Sequence, residues 1–117
     1  MVPHVSIIIP LYRSACTIEH TLESIFSQKT GFCYEVIVVD SSPVASDTGI
    51  GNRFAERIRL IRLDKKTFPG VARNIGAREA QSPLLMFIDA DIVLAGDWIE
   101  KAVLFYRSNH RLSLIHI

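Results

Sequence analysis

The chain has 117 residues, 49% of them hydrophobic, which is enough to bury a core in one domain without a disulfide or a structural metal. Thirteen basic residues against twelve acidic ones leave a formal charge of +1, and neither sign gathers into a block. That balance speaks against a nucleic-acid-binding arm and against an acidic tail.

Cys16 and Cys33 fall in different predicted elements without metal-ligand spacing, so they read as reduced, partly buried thiols of a cytoplasmic protein. Met1 to Pro10 has no basic stretch, and its apolar run, Val5 to Ile9, is far too short to span a bilayer. Any membrane association, at a cytoplasmic face, is therefore expected from a region beyond these residues.

Val5 to Ile9 (VSIII) is a nearly continuous, β-branched apolar run closed by Pro10, the pattern of a central parallel strand covered on both faces. Ile18, Leu22, Ile25 and Phe26 then recur at helical spacing, which predicts a helix over Thr17 to Ser27. Glu35 to Val39 (EVIVV) repeats the buried-strand pattern and delivers Asp40 into the turn-forming Ser41-Ser42-Pro43.

Ala45 to Arg57 predicts a helix weakened by Gly49 and Gly51, and the alternation of Ile58 to Leu63 (IRLIRL) predicts a less buried strand. Pro69 and Gly70 open a third helix, Val71 to Ala80, with Ala72, Ile75, Gly76 and Ala80 as its packing face. Leu84 to Ile88 (LLMFI) is a fourth buried strand that empties into Asp89-Ala90-Asp91. Asp97 is placed to cap a last helix running through Trp98, Ile99, Ala102, Val103 and Phe105.

Four apolar runs separated by helical segments predict an α/β fold of three layers, with a mostly parallel sheet built from Rossmann-like βαβ units. Ligands of such sheets bind outside the carboxyl ends of the strands, so Pro10 to Arg13, Asp40 to Ser42 and Asp89 to Asp91 are expected on one rim. Asp89 and Asp91, spaced by one small residue after a buried strand, can point to the same side and hold Mg²⁺ or Mn²⁺ together with two diphosphate oxygens. A turn cap beside a solvated aspartate is the competing reading.

Asp40 suits an Asx-turn as well as a contact to ribose or base, and Arg73 suits a surface ion pair as well as a diphosphate at a helix start. The histidines show no ligand spacing, and no nucleophile elbow, P-loop or G-x-G-x-x-G motif is present.

The pieces VSIIIPLYR, EVIVVDSS, PGVARNIGAREA and LLMFIDAD, in this order, resemble the GT-A domain of family 2 glycosyltransferases from Val5 to about Tyr106. The resemblance implies transfer of a sugar, usually with inversion, from a nucleotide-diphosphate-sugar donor to an unknown acceptor, with a divalent metal. By position it implies that Pro10 and Tyr12 wall the nucleotide base, that Asp40 contacts uracil or ribose, and that Arg73 lies near the nucleotide. It further implies that Asp89 helps seat the nucleotide sugar and that Asp91, with Asp89, binds the metal.

Arg13 stands where the family often has Asn, and Ser41 where a second Asp is common. The loop Ser42 to Asp47 is longer than usual, with Asp47 a possible substitute for a later aspartate. A nucleotidyltransferase would show a Gly-rich basic first loop, and a regulatory module of receiver type would show acidic residues after its first strand; Leu11 to Ala15 offers neither.

Residues 1–117 thus read as a single, truncated nucleotide-sugar-binding domain, inactive alone for want of the acceptor region and a catalytic base. After Asp91 the only acidic residues are Asp97 and Glu100, and both suit a helix start. Leu112 to Ile117 (LSLIHI) looks like translated sequencing-adapter DNA, although its hydrophobicity also suits a short fifth strand.

Overall fold

The computed structural model describes residues 3–13, 15–42, 53–65, 67–108 and 114–116. In chain order the elements are β1 (Val5–Leu11), α1 (Ala15–Phe26), β2 (Tyr34–Asp40), β3 (Arg59–Arg62), α2 (Pro69–Glu79), β4 (Leu85–Phe87), α3 (Trp98–Ser108) and β5 (Leu114–His116). The strands form one sheet in the order β3-β2-β1-β4-β5, and every described pair is parallel. The fifth strand is the short apolar stretch near the end of the chain, which pairs with β4 through Leu85↔Leu114.

Alternation along β1 explains the layering, because successive side chains of a strand point to opposite faces. Val5, Ile7, Ile9 and Leu11 pack with Ile18, Leu22 and Ile25 of α1 and with Ile99, Ala102 and Val103 of α3. Ile8 joins Ile37, Val39 and Phe87 on the other face, under Ala72 of α2. Both faces of β1 are therefore dry, which is why its sequence reads as a continuous apolar run.

Two expectations change, and a third is mostly outside the described residues. Asp40 is the last residue of β2, paired opposite Leu11, and not the first residue of a loop, because the apolar run ahead of it keeps the backbone in the ladder to its end. Cys16 and Cys33 are exposed instead of partly buried: Cys16 lies off the Ile18-Leu22-Ile25 stripe of α1, and Cys33 precedes β2. The helix expected over 45–57 falls mostly outside the described residues, as does Asp47. Its end is a turn, where Arg57 N and Ile58 N both donate to Phe54 O, while the Phe54 ring stacks on Phe26 with centroids 5.7 Å apart.

Gly76 fixes how closely α2 lies on the sheet. A Cβ at this position would stand 2.5 Å from Ile8 Cγ2 and 3.4 Å from Val39 Cγ2. Ile8 Cγ2 hangs directly from a β-branched carbon on a buried central strand, so it cannot swing aside. Gly76→Ala gains up to about 1 kcal/mol of helix propensity but forces overpacking that costs about 1–3 kcal/mol. Urea denaturation should show a net loss of about 1–2 kcal/mol; a raised midpoint would mean that the helix does not sit this close.

Candidate functional site

The strand order reverses between β1 and β4, since β1 leads on one side to β2 and β3 and on the other to β4 and β5. At this reversal the two strands part. β1 stays paired with β2 through Leu11↔Asp40, but its last partner on β4 is Phe87, opposite Ile8.

Pro10 sits at the point of separation. Ser6 N donates to Leu84 O at 2.9 Å, and Ile8 O accepts from Ile88 N at 3.0 Å, so the even-numbered residues of β1 direct their backbone groups toward β4. Pro10 is next in that series and has no N–H to offer. Beyond it a cleft of about 570 Å³ opens, walled by Pro10 to Tyr12 on one side and Asp89 to Asp91 on the other. Ser41, with Thr67, Phe68, Pro69, Ala72 and Arg73 at the start of α2, completes the lining.

Asp89-Ala90-Asp91 is held from below by α1. Ala90 is buried in the core, and Thr21 Oγ1 donates to its carbonyl at 2.9 Å. Ser24 Oγ of α1 accepts from Leu94 N at 3.0 Å, and Gln28 Oε1, just past the end of α1, accepts from Ile99 N at the start of α3 at 2.9 Å. With Ala90 turned inward, both flanking carboxylates face the cleft: the Asp89 side chain is half exposed, and Asp91 is exposed. The central position of D-A-D is thus a core position, which suits a small apolar residue.

Arg73 reaches across from the second turn of α2, where Nη2 donates to Asp89 Oδ1 at 3.2 Å. The ion pair expected of a surface arginine is thus made inside the cleft. The Arg73 Nε–H is buried without a hydrogen-bond partner, and so is Thr67 Oγ1. Phe68 occupies the cap position of α2 with no side-chain capping bond, and its ring is 79% exposed at the mouth of the cleft.

Asp40 is at the same end of the sheet but behind the wall. Its side chain is fully buried; Oδ1 accepts from Ser42 N at 2.8 Å, as in an Asx-turn, and Oδ2 lies 3.5 Å from Arg62 Nη1 without a hydrogen bond. Ser41, whose N–H donates to Leu11 O, lines the cleft in its place. Arg13 takes a φ of 51°, a left-handed conformation that Asn tolerates better than Arg, and its N–H donates to Ser42 Oγ at 2.9 Å.

The structure brings Pro10, Tyr12, Arg73, Asp89 and Asp91 together around one cleft and sets Asp40 just outside it. Reading the sequence missed Thr21 and Thr67. Thr21 was detectable as a hydroxyl within the Ile18-Leu22-Ile25 stripe; Thr67 carries no local signal. Asp97 and Glu100 have structural partners: Asp97 Oδ2 pairs with Lys101 Nζ at 3.0 Å, and Glu100 Oε1 accepts from Thr30 Oγ1 at 2.6 Å. The Lys101 ammonium holds the Asp97 carboxyl below the usual carboxylate range.

Among the described residues, no group of three or more His, Cys, Asp or Glu side chains can hold a metal alone. A cation at Asp89 and Asp91 would take its other ligands from water and from a phosphate-bearing ligand, as Mg²⁺ and Mn²⁺ commonly do.

A family model described as Glycosyl transferase family 2 matches residues 6–115. An uncharacterized glycosyltransferase of Haemophilus influenzae is 31% identical over 111 residues, covering 92% of this chain and 44% of the relative. Staphylococcus aureus TarS 1-349, solved in complex with UDP, superposes with a TM-score of 0.79 at 25% identity, over 91% of this chain and 32% of its own. The mannosyltransferase PcManGT from Pyrobaculum calidifontis, solved with GDP-Man and Mn²⁺, gives 0.78 at 28% identity, over 91% of this chain and 33% of its own. The chain therefore spans less than half the length of each of these proteins. A match of this extent favours the glycosyltransferase resemblance over the nucleotidyltransferase and receiver-like alternatives.

Two substitutions test the construction of the site. Thr21→Val leaves the buried carbonyl of Ala90 without its donor and should lower stability by about 1–2 kcal/mol, read by thermal or urea unfolding. Arg13→Asn relieves the left-handed backbone and should raise stability by about 0.5–1 kcal/mol. An unchanged Thr21→Val midpoint, or a lowered one for Arg13→Asn, would count against these geometries.

Proposed function

The chain belongs to glycosyl transferase family 2, and on that premise we propose that its rim cleft binds the nucleotide diphosphate of an activated sugar in a glycosyl-transfer reaction. One observation carries this reading. Of the three buried side-chain atoms without hydrogen-bond partners among the described residues, Thr67 Oγ1 and Arg73 Nε belong to residues that line the cleft, while Asp40 Oδ2 lies outside it, 3.5 Å from Arg62 Nη1. Buried polar groups are nearly always satisfied, so unfilled ones gathered at a single opening argue for a ligand that fills them.

Charge sorts their roles. Arg73 brings a guanidinium to the cleft for an anion, whereas Asp40 is buried outside it, beside Arg62. Pro10 and Tyr12 supply the flat wall for the base, and Asp89, held by Arg73, seats the donor next to Asp91. The nucleotides named with the two solved relatives, UDP and GDP-Man, belong to the same ligand class.

Asp91 and Asp89 are the residues that would hold Mn²⁺ or Mg²⁺. A divalent ion there supplies positive charge for the diphosphate as it leaves. The chain's own residues orient that diphosphate: Arg73 fixes one carboxylate, and Thr21 and Ala90 fix the loop that carries both. Inversion requires a base to take the acceptor's proton. With Asp97 and Glu100 engaged by Lys101 and Thr30, neither fills that role, so the 117-residue chain is expected to bind a donor without transferring its sugar.

Calorimetric titration of UDP and GDP, with and without Mn²⁺, tests the assignment. Binding should require the metal; Asp91→Asn should weaken it by about tenfold or more, while Asp97→Asn should leave it nearly unchanged. Equal affinity without metal, or equal sensitivity at the two aspartates, would refute the proposed roles.

A further inference from the structure

The two carboxylates of the cleft are held differently. Arg73 reaches the Asp89 side chain, but among the described residues no hydrogen bond or ion pair reaches the side chain of Asp91, so its place is set by its backbone. That backbone is fastened at two points that bracket it. Upstream, Thr21 Oγ1 donates to Ala90 O; downstream, Leu94 N donates to Ser24 Oγ at 3.0 Å. Between them Ile92 N donates to Asp89 O at 3.3 Å, which closes the turn that carries Asp91 as its third residue.

The Ser24 hydroxyl is oriented for the downstream contact. It has one proton, and that proton goes to Thr21 O at 2.7 Å, within α1. The lone pairs of the oxygen are left for Leu94 N. Thr21 thus holds one end of the turn with its side chain and, through its carbonyl, aims the serine that holds the other.

We propose that Ser24 is a positioning residue for the metal site: its hydroxyl closes the downstream end of the Asp89-Ala90-Asp91 turn and keeps the Asp91 carboxylate where it shares a divalent ion with Asp89. The inference rests on the proposed function of the cleft and adds to it a residue of α1, a helix that does not line the cleft. Without the hydroxyl, Leu94 still sits in the core, so the segment is loosened and not detached. The ion then has to order it on binding, and that ordering costs affinity.

Ser82 separates positioning from stability. At the entry to β4, the opposite end of the strand from the cleft, its hydroxyl accepts from Leu84 N at 3.1 Å. In the purified protein with Mn²⁺, Ser24→Ala should weaken binding of UDP or GDP, whichever the wild type binds more tightly, by about fivefold. Ser82→Ala removes a similar bond and should lower the thermal midpoint comparably, yet bind within about twofold of the wild type. Ser24→Thr, which keeps the hydroxyl, should also bind within about twofold. Added to Asp91→Asn, Ser24→Ala should cause no further loss, because its effect passes through that carboxylate. In the unsubstituted protein the Leu94 amide should exchange slowly with solvent.

Undiminished binding by a folded Ser24→Ala protein would overturn the proposal while leaving the donor site standing. An equal loss in Ser82→Ala would make stability the cause, and losses that add in the double variant would show an effect that bypasses Asp91; either result overturns it. So would a Ser24→Thr protein that binds as weakly as Ser24→Ala. Rapid exchange at Leu94 overturns it without any variant, and so decides the matter even if Ser24→Ala does not fold. Failure of the wild type to bind either nucleoside diphosphate would remove the donor site itself and this inference with it.

Discussion

The cleft depends on where β1 stops pairing with β4. A central parallel strand is normally bonded along both edges, but here the edge facing β4 ends at Ile8 while the edge facing β2 continues to Leu11. Pro10 makes this asymmetry permanent, because the position whose N–H would extend the ladder toward β4 has none. The chain after β4 is thereby released to turn, and Asp89-Ala90-Asp91 lies beside the end of β1 instead of continuing the sheet. In open α/β sheets the reversal of strand order is where ligands bind, and the early release of β4 gives that rule a concrete cause in this chain.

Once released, the loop needs a new anchor, and α1 provides it. Thr21 and Ser24 of α1 hold Ala90 and Leu94, and Gln28, just past the end of that helix, holds Ile99 at the start of α3. The opposite wall is set by α2, whose distance from the sheet is limited by Gly76 against Ile8 and whose second turn carries Arg73 to Asp89. Two helices on opposite faces of the sheet thus converge on one loop, α1 at the Ala90 carbonyl and α2 at the Asp89 carboxylate. The geometry of that meeting depends on a glycine, an alanine and a threonine more than on any charged residue.

Much of this was legible in the sequence. The runs VSIII, EVIVV and LLMFI are continuous because their strands are buried on both faces, and the three rim segments follow from parallel pairing alone. Asp89 and Asp91 were readable because a small residue between two carboxylates at a strand end has few other uses. Asp40 was placed at the correct end of the sheet, but its complete burial behind Ser41 was not foreseen, since that depends on the path of a loop and not on β2.

Thr67 was invisible for a different reason. An unsatisfied hydroxyl is a property of its surroundings, and a threonine between lysines and a phenylalanine looks like any other loop residue. Leu114–His116 forms a parallel edge strand on β4, and a stretch so short and apolar was open to that reading and to others.

On the proposed reading, Arg73 and the Asp89-Ala90-Asp91 loop hold a nucleotide diphosphate at the rim of the sheet. A crystal structure of the protein with UDP or GDP and Mn²⁺ tests it most directly. It should show the diphosphate between Arg73 and the Asp89-Ala90-Asp91 loop, with the base against Pro10 and Tyr12 and a ligand atom within hydrogen-bonding distance of Arg73 Nε. A nucleotide bound elsewhere on the fold, with the cleft empty and Arg73 Nε still without a partner, would contradict it.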